Sequence, residues 1–365
     1  MTEREILSAL STVKDTDIQK DIVSLGFVRN VRIDQGRVGF DLVLPTPLLP
    51  SKELLREEIK RVVQTISGVS AVQVVVRSDI SRKPTGSDNK LPNIKNIVAI
   101  GSGKGGVGKS TVSVNLAVGL AKHGAKVGLL DGDIYGPSLP IMLGATDKDL
   151  SEEGGRIVPV SVHGIKFMSF GFMAKGDQPL IWRGPMAHKA VQESFFRVDW
   201  GDLDYLLVDM PPGTGDVHLT LVQSVPLVGA VIVSTPQDVG LTISMKTFRM
   251  FEKTHVHPLG IIENMSHHIC SHCGSREEIF GYGMVRKEAQ KLNIPFLGEI
   301  PLDIKIRQCT DEGVPIVLTG TATPIGKTYL DIIERVVGQI SLRNYQERPI
   351  QMIEEPEENA ETFSV

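Results

Sequence analysis

The stretch Gly103-Lys104-Gly105-Gly106-Val107-Gly108-Lys109-Ser110 reads G-x-x-x-x-G-K-S, the spacing of a phosphate-binding P-loop. Before it, Ile97-Val98-Ala99-Ile100 is a short apolar run that suits a buried strand. After it, from Thr111 to Ala121, Val112, Leu116 and Leu120 recur at helical spacing. Strand, glycine loop and helix thus come in the order a phosphate cradle needs, because backbone N–H groups of the loop and the helix N-terminus converge on the phosphates. The expected ligand is ATP. Lys109 reaches its β- and γ-phosphates, the Ser110 hydroxyl holds Mg²⁺, and Gly103, Gly105, Gly106, Val107, Gly108 and Thr111 complete the cradle.

A second lysine, Lys104, follows the first glycine of the loop. In this it resembles the deviant P-loop shared by MinD, ParA and the nitrogenase iron protein. That resemblance implies a lysine that crosses a dimer interface to the partner's nucleotide, and it makes Lys104 catalytic together with Lys109.

With 365 residues the chain is long enough for two or three domains and for a core that needs no covalent staples. Its composition, 41% hydrophobic and 22% charged, is that of an ordinary globular protein. No apolar run reaches the roughly 18–20 residues of a membrane span, and Met1-Thr2-Glu3-Arg4-Glu5 lacks the pattern of a signal peptide. A cytoplasmic location without membrane contact is expected. The three cysteines, Cys270, Cys273 and Cys309, favour a metal or redox site over a disulfide framework. A net charge of −4 offers no basic footprint for nucleic acid. Residues 344–365 form an acidic tail, expected to be disordered, with the run Glu354-Glu355-Pro356-Glu357-Glu358.

Residues 1–78 read as a small separate α/β unit. Helices are expected over 3–10, 16–25 and 51–65, a hairpin over 28–44 turning at Gln35-Gly36, and a last strand over 71–76. The Asp15-Thr16-Asp17-Ile18 start, the Asp21-Ile22-Val23-Ser24-Leu25-Gly26 run and Gly68-Val69 resemble the small domain of SufT-like iron–sulfur assembly proteins. Many such relatives place a cysteine after the second strand. This chain has Pro47-Leu48-Leu49-Pro50 there, so the resemblance implies docking rather than thiolate chemistry. Residues 79–95 are a polar linker.

Over 96–343 strand-like and helical segments alternate, with strands expected at 97–101, 127–130, 165–169, 206–210, 230–234, 260–263 and 296–298. The fold class is α/β: a doubly wound, mainly parallel P-loop NTPase sheet preceded by the small unit. Ligands in such sheets bind at the C-terminal ends of the strands, where each further motif falls. In Asp131-Gly132-Asp133, Asp133 is assigned to the attacking water and Asp131 to its support. Leu206-Leu207-Val208-Asp209 reads as a Walker-B-like strand whose Asp209 holds Mg²⁺ through water, and Gly213 opens a turn able to approach a γ-phosphate. Asn264, after a late strand, can offer its amide to both edges of adenine.

Cys270-Ser271-His272-Cys273 brings two thiolates within reach of one metal or cluster, whereas four ligands are needed. The residues leave three readings open: a metal site completed by a symmetric second copy, a redox pair, or zinc helped by His267, His268 or His272. Cys309 reads as a small buried thiol.

Over 96–338 the chain resembles the Mrp/ApbC-type iron–sulfur cluster carriers, ATPases related to the nitrogenase iron protein. The resemblance rests on the P-loop, the segment from Asp131 to Ser138, Trp182-Arg183-Gly184-Pro185-Met186, Trp200-Gly201-Asp202-Leu203-Asp204-Tyr205, Asp209 to Asp216, Thr235-Pro236-Gln237-Asp238-Val239, Glu263-Asn264-Met265-Ser266 and the two cysteines. It implies a homodimer that holds a 4Fe–4S cluster between two Cys270/Cys273 pairs. It also implies slow ATP hydrolysis, and partnership with cluster scaffold proteins and recipient apoproteins. The competing readings are a MinD/ParA-type positioning ATPase, which leaves the cysteines unexplained, and a zinc-stabilised scaffold, which has no use for Asp133.

Overall fold

A computed structural model describes residues 1–15, 18–47, 52–82, 90–173, 184–213, 215–320 and 323–347, with the backbone alone at 52–54, 184–185, 216 and 238–243. Residues 83–89 of the expected linker, Leu48 to Pro50, Trp182-Arg183, Thr214 and most of the acidic tail lie outside the described residues.

The first unit holds α1 (Glu3–Leu10), β1 (Val28–Asp34), β2 (Arg37–Leu44), α2 (Lys52–Gln64) and β3 (Ala71–Ser78). Its sheet has the order β1-β2-β3, antiparallel then parallel. The alternating Val38, Phe40, Leu42 and Leu44 point inward and meet Ile6, Leu10, Leu55, Ile59 and Val63 from the two helices. The helix expected over 16–25 is absent from its described residues, 18–25. The described part is a series of turns, because the Asp21 carboxylate accepts the N–H groups of Val23 and Ser24 at 3.1 and 2.7 Å and competes with helical pairing.

The second unit begins with β4 (Ile94–Ser102), α3 (Lys109–Lys122), β5 (Val127–Asp131) and α4 (Leu139–Met142). A small hairpin, β6 (Ser151–Glu153) and β7 (Arg156–Val158), then leads to β8 (Val160–Val162) and β9 (Ile165–Ser169). The chain continues through α5 (Gly184–Phe196), β10 (Leu203–Asp209), α6 (Asp216–Ser224), β11 (Leu227–Ser234), α7 (Asp238–Lys253) and β12 (Pro258–Asn264). It closes with the hairpin β13 (His268–Ile269) and β14 (Arg276–Glu277), α8 (Met284–Lys291), β15 (Phe296–Ile300), α9 (Ile304–Asp311) and α10 (Pro324–Gln346).

The main sheet has eight strands in the order β15-β12-β11-β4-β10-β5-β9-β8. All seven expected strands are present and mutually parallel, and the short edge strand β8 adds an antiparallel pairing to β9. Strands buried on both faces read as continuous apolar runs, and helices cover both faces. Val112, Leu116, Ile333 and Val336 of α3 and α10 fill one core; Val191, Leu221, Phe248 and Val285 of α5 to α8 fill the other. Strands β4 and β10 are neighbours, yet β4 leads toward β5 on one side and β10 toward β11 on the other, so their C-terminal ends frame the switch point where such sheets bind ligands.

β4 starts at Ile94 and α10 ends at Gln346, so the edges expected at 96 and 343 fall inside elements. A buried polar knot closes this end. Asn344 Nδ2 donates to Asn96 Oδ1 at 2.8 Å and to Ser81 Oγ at 3.1 Å, and Asn96 Nδ2 donates to the Ser81 carbonyl at 2.7 Å. Among the described residues no helix is long and apolar enough to cross a membrane.

Candidate functional site

The loop after β4 closes on α3 through Gly106 and Gly108, whose φ angles of +77° and +81° lie in the left-handed region that glycine adopts freely. Gly108 is also tight: a Cβ there would be driven into Asn264 Nδ2. It caps α3 without a side-chain hydrogen bond, which leaves first-turn N–H groups for an anion. A pocket of about 250 Å³ lies over the loop, lined by Lys104 to Thr111, Asp133, Ser138, Met142 and Pro212. A larger, more apolar cleft of about 580 Å³ lies beside β13 and α9, with Cys309 and Leu302 in its wall, but it carries no comparable set of phosphate-binding groups.

Beneath the loop three acidic and basic groups meet. Asp209 at the end of β10 is level with Ile100 of β4 on one side and Asp131 of β5 on the other. Lys109 Nζ lies 2.6 Å from Asp209 Oδ2, and Ser110 Oγ donates to the same oxygen at 2.7 Å. Ser113 Oγ donates to Asp209 Oδ1. Asp131 accepts from Ser169 Oγ at 2.8 Å. Burial, reinforced by the Asp209 carboxylate alongside, pushes the Asp131 carboxyl up to about 7. Asp133 stands further out. Its Oδ1 accepts the N–H groups of Tyr135 and Gly136 at 3.2 and 3.1 Å, which fixes the turn and sets the carboxylate in the pocket wall.

Lys104 Nζ donates to Gln237 Oε1 at 2.9 Å. Gly213 N–H donates to the Ser102 carbonyl at 3.2 Å, so the turn after β10 touches the end of β4. Asn264, assigned to adenine above, is 7% exposed, and its Nδ2 donates to the Val107 carbonyl at 2.8 Å. The structure therefore brings Lys104, Gly105 to Thr111 and Asp133 to one pocket, puts Asp131 and Asp209 behind it, and sets Asn264 against the P-loop backbone. Sequence reading missed Ser113 and Ser169. Ser113 had a signal, being a polar residue one helical turn after Lys109.

His218 was also missed. It lies on α6, is 1% exposed, and packs on Phe251 with ring centroids 5.5 Å apart. Among the described residues neither ring nitrogen has a hydrogen-bond partner. Burial pushes its pKa down to about 4, although the nearby Pro211 carbonyl pulls the other way. Below its ordinary value of 6.5 the unfolded chain takes up a proton that the folded chain refuses, so this residue's contribution to stability falls between pH 6.5 and 4. The expected loss is about 3 kcal/mol. In urea denaturation across that range, the stability of the parent relative to His218→Phe should fall by this amount; a constant difference would refute the assignment.

Cys270 and Cys273 belong to a separate site at the tip of the β13–β14 hairpin, Cys270 half-buried and Cys273 exposed. Cys270 N–H donates to the Ser275 carbonyl and Gly274 N–H to the Cys270 carbonyl, both at 2.9 Å, so the backbone curls into a knuckle that presents both sulfurs. The Ser275 hydroxyl, 3.2 Å from Cys273 Sγ, holds that thiol below its usual range. His267 pairs with Ser266 Oγ at 2.8 Å and His268 with the Leu302 carbonyl at 3.0 Å. Among the described residues no group of three or more His, Cys, Asp or Glu is arranged to hold a metal, so the reading of zinc completed within one chain has no geometric support.

A family described as NUBPL iron-transfer P-loop NTPase matches residues 93–337, and one described as iron-sulfur cluster assembly protein matches residues 3–76. The chain is 45% identical over 348 residues to an iron-sulfur cluster carrier protein of Synechocystis sp., a match covering 94% of this chain and 99% of that one. It is 40% identical over 337 residues to the iron-sulfur cluster carrier protein of Escherichia coli, covering 92% and 91%. Among solved structures it is similar to a nucleotide-binding protein from Archaeoglobus fulgidus in complex with ADP, with TM-score 0.55, 42% identity and coverage of 61% and 88%. It is also similar to the septum site-determining protein MinD of Pyrococcus horikoshii complexed with Mg-ADP, with TM-score 0.51, 25% identity and coverage of 66% and 95%.

Proposed function

This chain belongs to the iron–sulfur cluster carrier family of P-loop NTPases, and from that premise we propose that it binds and slowly hydrolyses Mg-ATP while a pair of chains holds a 4Fe–4S cluster for transfer to apoproteins. The observation that carries the reading is the half-built thiolate site: two sulfurs displayed on one hairpin tip, with no third ligand beside them among the described residues. A second copy supplies the missing pair by symmetry. Iron, sulfide and zinc analysis of anaerobically purified protein tests it. Iron and sulfide at one cluster per two chains is expected, and zinc at one per chain would refute it.

At the nucleotide site the loop N–H groups cradle the phosphates. With Mg-ATP bound, Lys109 would turn from Asp209 to the β- and γ-phosphates, and Asp209 and Ser110 would hold the Mg²⁺, which neutralises phosphate charge. Asp131, behind them, supports Asp133, whose N–H its Oδ1 accepts at 3.3 Å. Asp133 orients the attacking water. Lys104 extends to the partner's nucleotide, where it meets charge that develops on transfer. Recipient apoproteins and cluster scaffold proteins are the expected partners, and the cytoplasm, where thiols stay reduced, is the expected location.

Asp133→Asn keeps the turn-capping Oδ1 but loses the anionic acceptor. It should bind Mg-ATP and lose hydrolysis by about 10²- to 10⁴-fold. Lys104→Ala should likewise bind and fail to turn over. If Lys104 acts across the interface, mixing the two inactive variants builds dimers with one complete site, and activity returns to about a quarter of the parent's. Parental turnover in Asp133→Asn, or no recovery on mixing, would overturn the corresponding role.

A further inference from the structure

The two lysines of the P-loop are held in different ways. Lys109 faces a carboxylate, Asp209, whereas the half-buried Lys104 gives its ammonium to a neutral amide, Gln237 Oε1, at 2.9 Å. Among the described residues that amide is the only polar partner of the ammonium. Neighbouring strand ends build the contact: Val233 of β11 is level with Ser102 of β4, and Gln237 and Lys104 follow shortly after them. Ser102 Oγ donates to the Lys104 carbonyl at 3.0 Å, which pins the lysine backbone and leaves its side chain to swing. Gln237 stands at the N-cap of α7 with extended backbone, φ −61° and ψ 130°, yet its side chain caps no helical N–H. A short serine or aspartate at that position turns back onto the helix; the longer glutamine reaches out to the lysine instead.

We propose that Gln237 is a latch: it parks Lys104 within its own chain and so sets how readily two chains pair over nucleotide. The latch rests on the paired reading and on the Lys104 role given above. An ammonium bound to its own chain's amide has to leave it to meet a nucleotide held by a second copy. Only the fraction of chains with Lys104 released is then competent to pair, and the apparent affinity between chains falls by that fraction. A neutral acceptor suits a latch that opens. An amide oxygen orients the ammonium without cancelling its charge, so the lysine stays attracted to phosphate, whereas a carboxylate would compete with phosphate for it. A hydrogen bond to a charged group shifts an equilibrium by about ten- to hundredfold, and partial exposure lowers this, so about fivefold is the least effect expected. Gln237 is thus a positioning residue that acts through Lys104.

Two substitutions should move the latch in opposite directions, which mere loss of a structural contact would not do. Gln237→Leu keeps the bulk and removes the acceptor; Gln237→Glu sets a carboxylate against the ammonium. In nucleotide-free protein, acetylation of Lys104 by acetic anhydride is read by peptide mass spectrometry. It should run at least about threefold faster in Gln237→Leu and about threefold slower in Gln237→Glu, since a carboxylate holds the amine protonated. The protein concentration giving half-maximal Mg-ATP turnover per chain should fall at least about fivefold in Gln237→Leu and rise at least about fivefold in Gln237→Glu. Turnover at saturating protein should stay at the parental level in both. The latch is overturned if labelling ignores both variants, or if both shift the half-maximal concentration the same way or leave it in place. It is also overturned if Gln237→Leu raises that concentration, since Gln237 would then hold Lys104 in its working position. If labelling follows the variants while parental turnover per chain is independent of protein concentration, it is the paired reading that fails, and the latch falls with it.

Discussion

Replacing Lys109 with Ala should abolish Mg-ATP binding in calorimetry and lower any residual turnover by at least about 100-fold. The ammonium is the cation placed inside the phosphate cradle, and in a pocket screened from water its attraction to phosphate is far stronger than on a surface. Its present partner shows a second consequence. Lys109 and Asp209 form an ion pair 2.6 Å long with both side chains almost wholly buried, and Asp131 lies beside Asp209 on the next strand. Removing the ammonium leaves adjacent carboxylates without their cation, and breaking a buried pair from one side costs about 3–5 kcal/mol. Lost binding could then be mistaken for lost folding. The double variant Lys109→Met, Asp209→Asn separates the two, since it removes the orphaned charge and should regain stability in denaturation while still failing to bind nucleotide. Parental affinity for Mg-ATP in Lys109→Ala would remove Lys109 from the phosphate site.

What sequence could reveal of this arrangement followed the range of each interaction. The G-x-x-x-x-G-K-S loop and the seven central strands were legible because their causes are local: glycines where φ is positive, and apolar runs where a strand is buried on both faces. The β8 edge strand was missed because three residues carry no readable period. The 16–25 helix was overcalled because apolar spacing there outweighed Asp21, whose carboxylate takes the backbone N–H groups a helix would leave for its own pairing. The least legible contacts join distant segments: Lys104 with Gln237, Asn264 with Val107, Ser169 with Asp131. Nothing in the pattern around Asn264 says that it braces a loop laid down long before it. The functional resemblance was legible from the ordered set of motifs, whereas how Lys104 is held required coordinates.

Cys270→Ser and Cys273→Ser should each abolish stable cluster binding and transfer, the largest effect expected of any substitution at the hairpin. The tip supplies two sulfurs, one half-buried and one exposed, in a knuckle fixed by the Cys270–Ser275 and Gly274–Cys270 backbone bonds. A cluster coordinates thiolates, and the Ser275 hydroxyl already favours the ionised form of Cys273. Serine preserves the knuckle and its shape but offers a hard, weakly acidic oxygen in place of a soft sulfur. If two chains contribute equally, a single substitution removes two of four ligands from every dimer, so no graded loss is expected. Cys309→Ser is the matched control. That thiol sits in the cleft beside α9, partly packed against the core, and burial pushes its pKa up, away from ligand behaviour. It should leave iron, sulfide and transfer unchanged. Mg-ATP binding should survive in all three variants, because Lys109, Asp133 and the P-loop form a separate pocket. Measured on anaerobically reconstituted protein, a cluster that persists undiminished in the Cys270→Ser, Cys273→Ser double variant would move the cargo away from this hairpin.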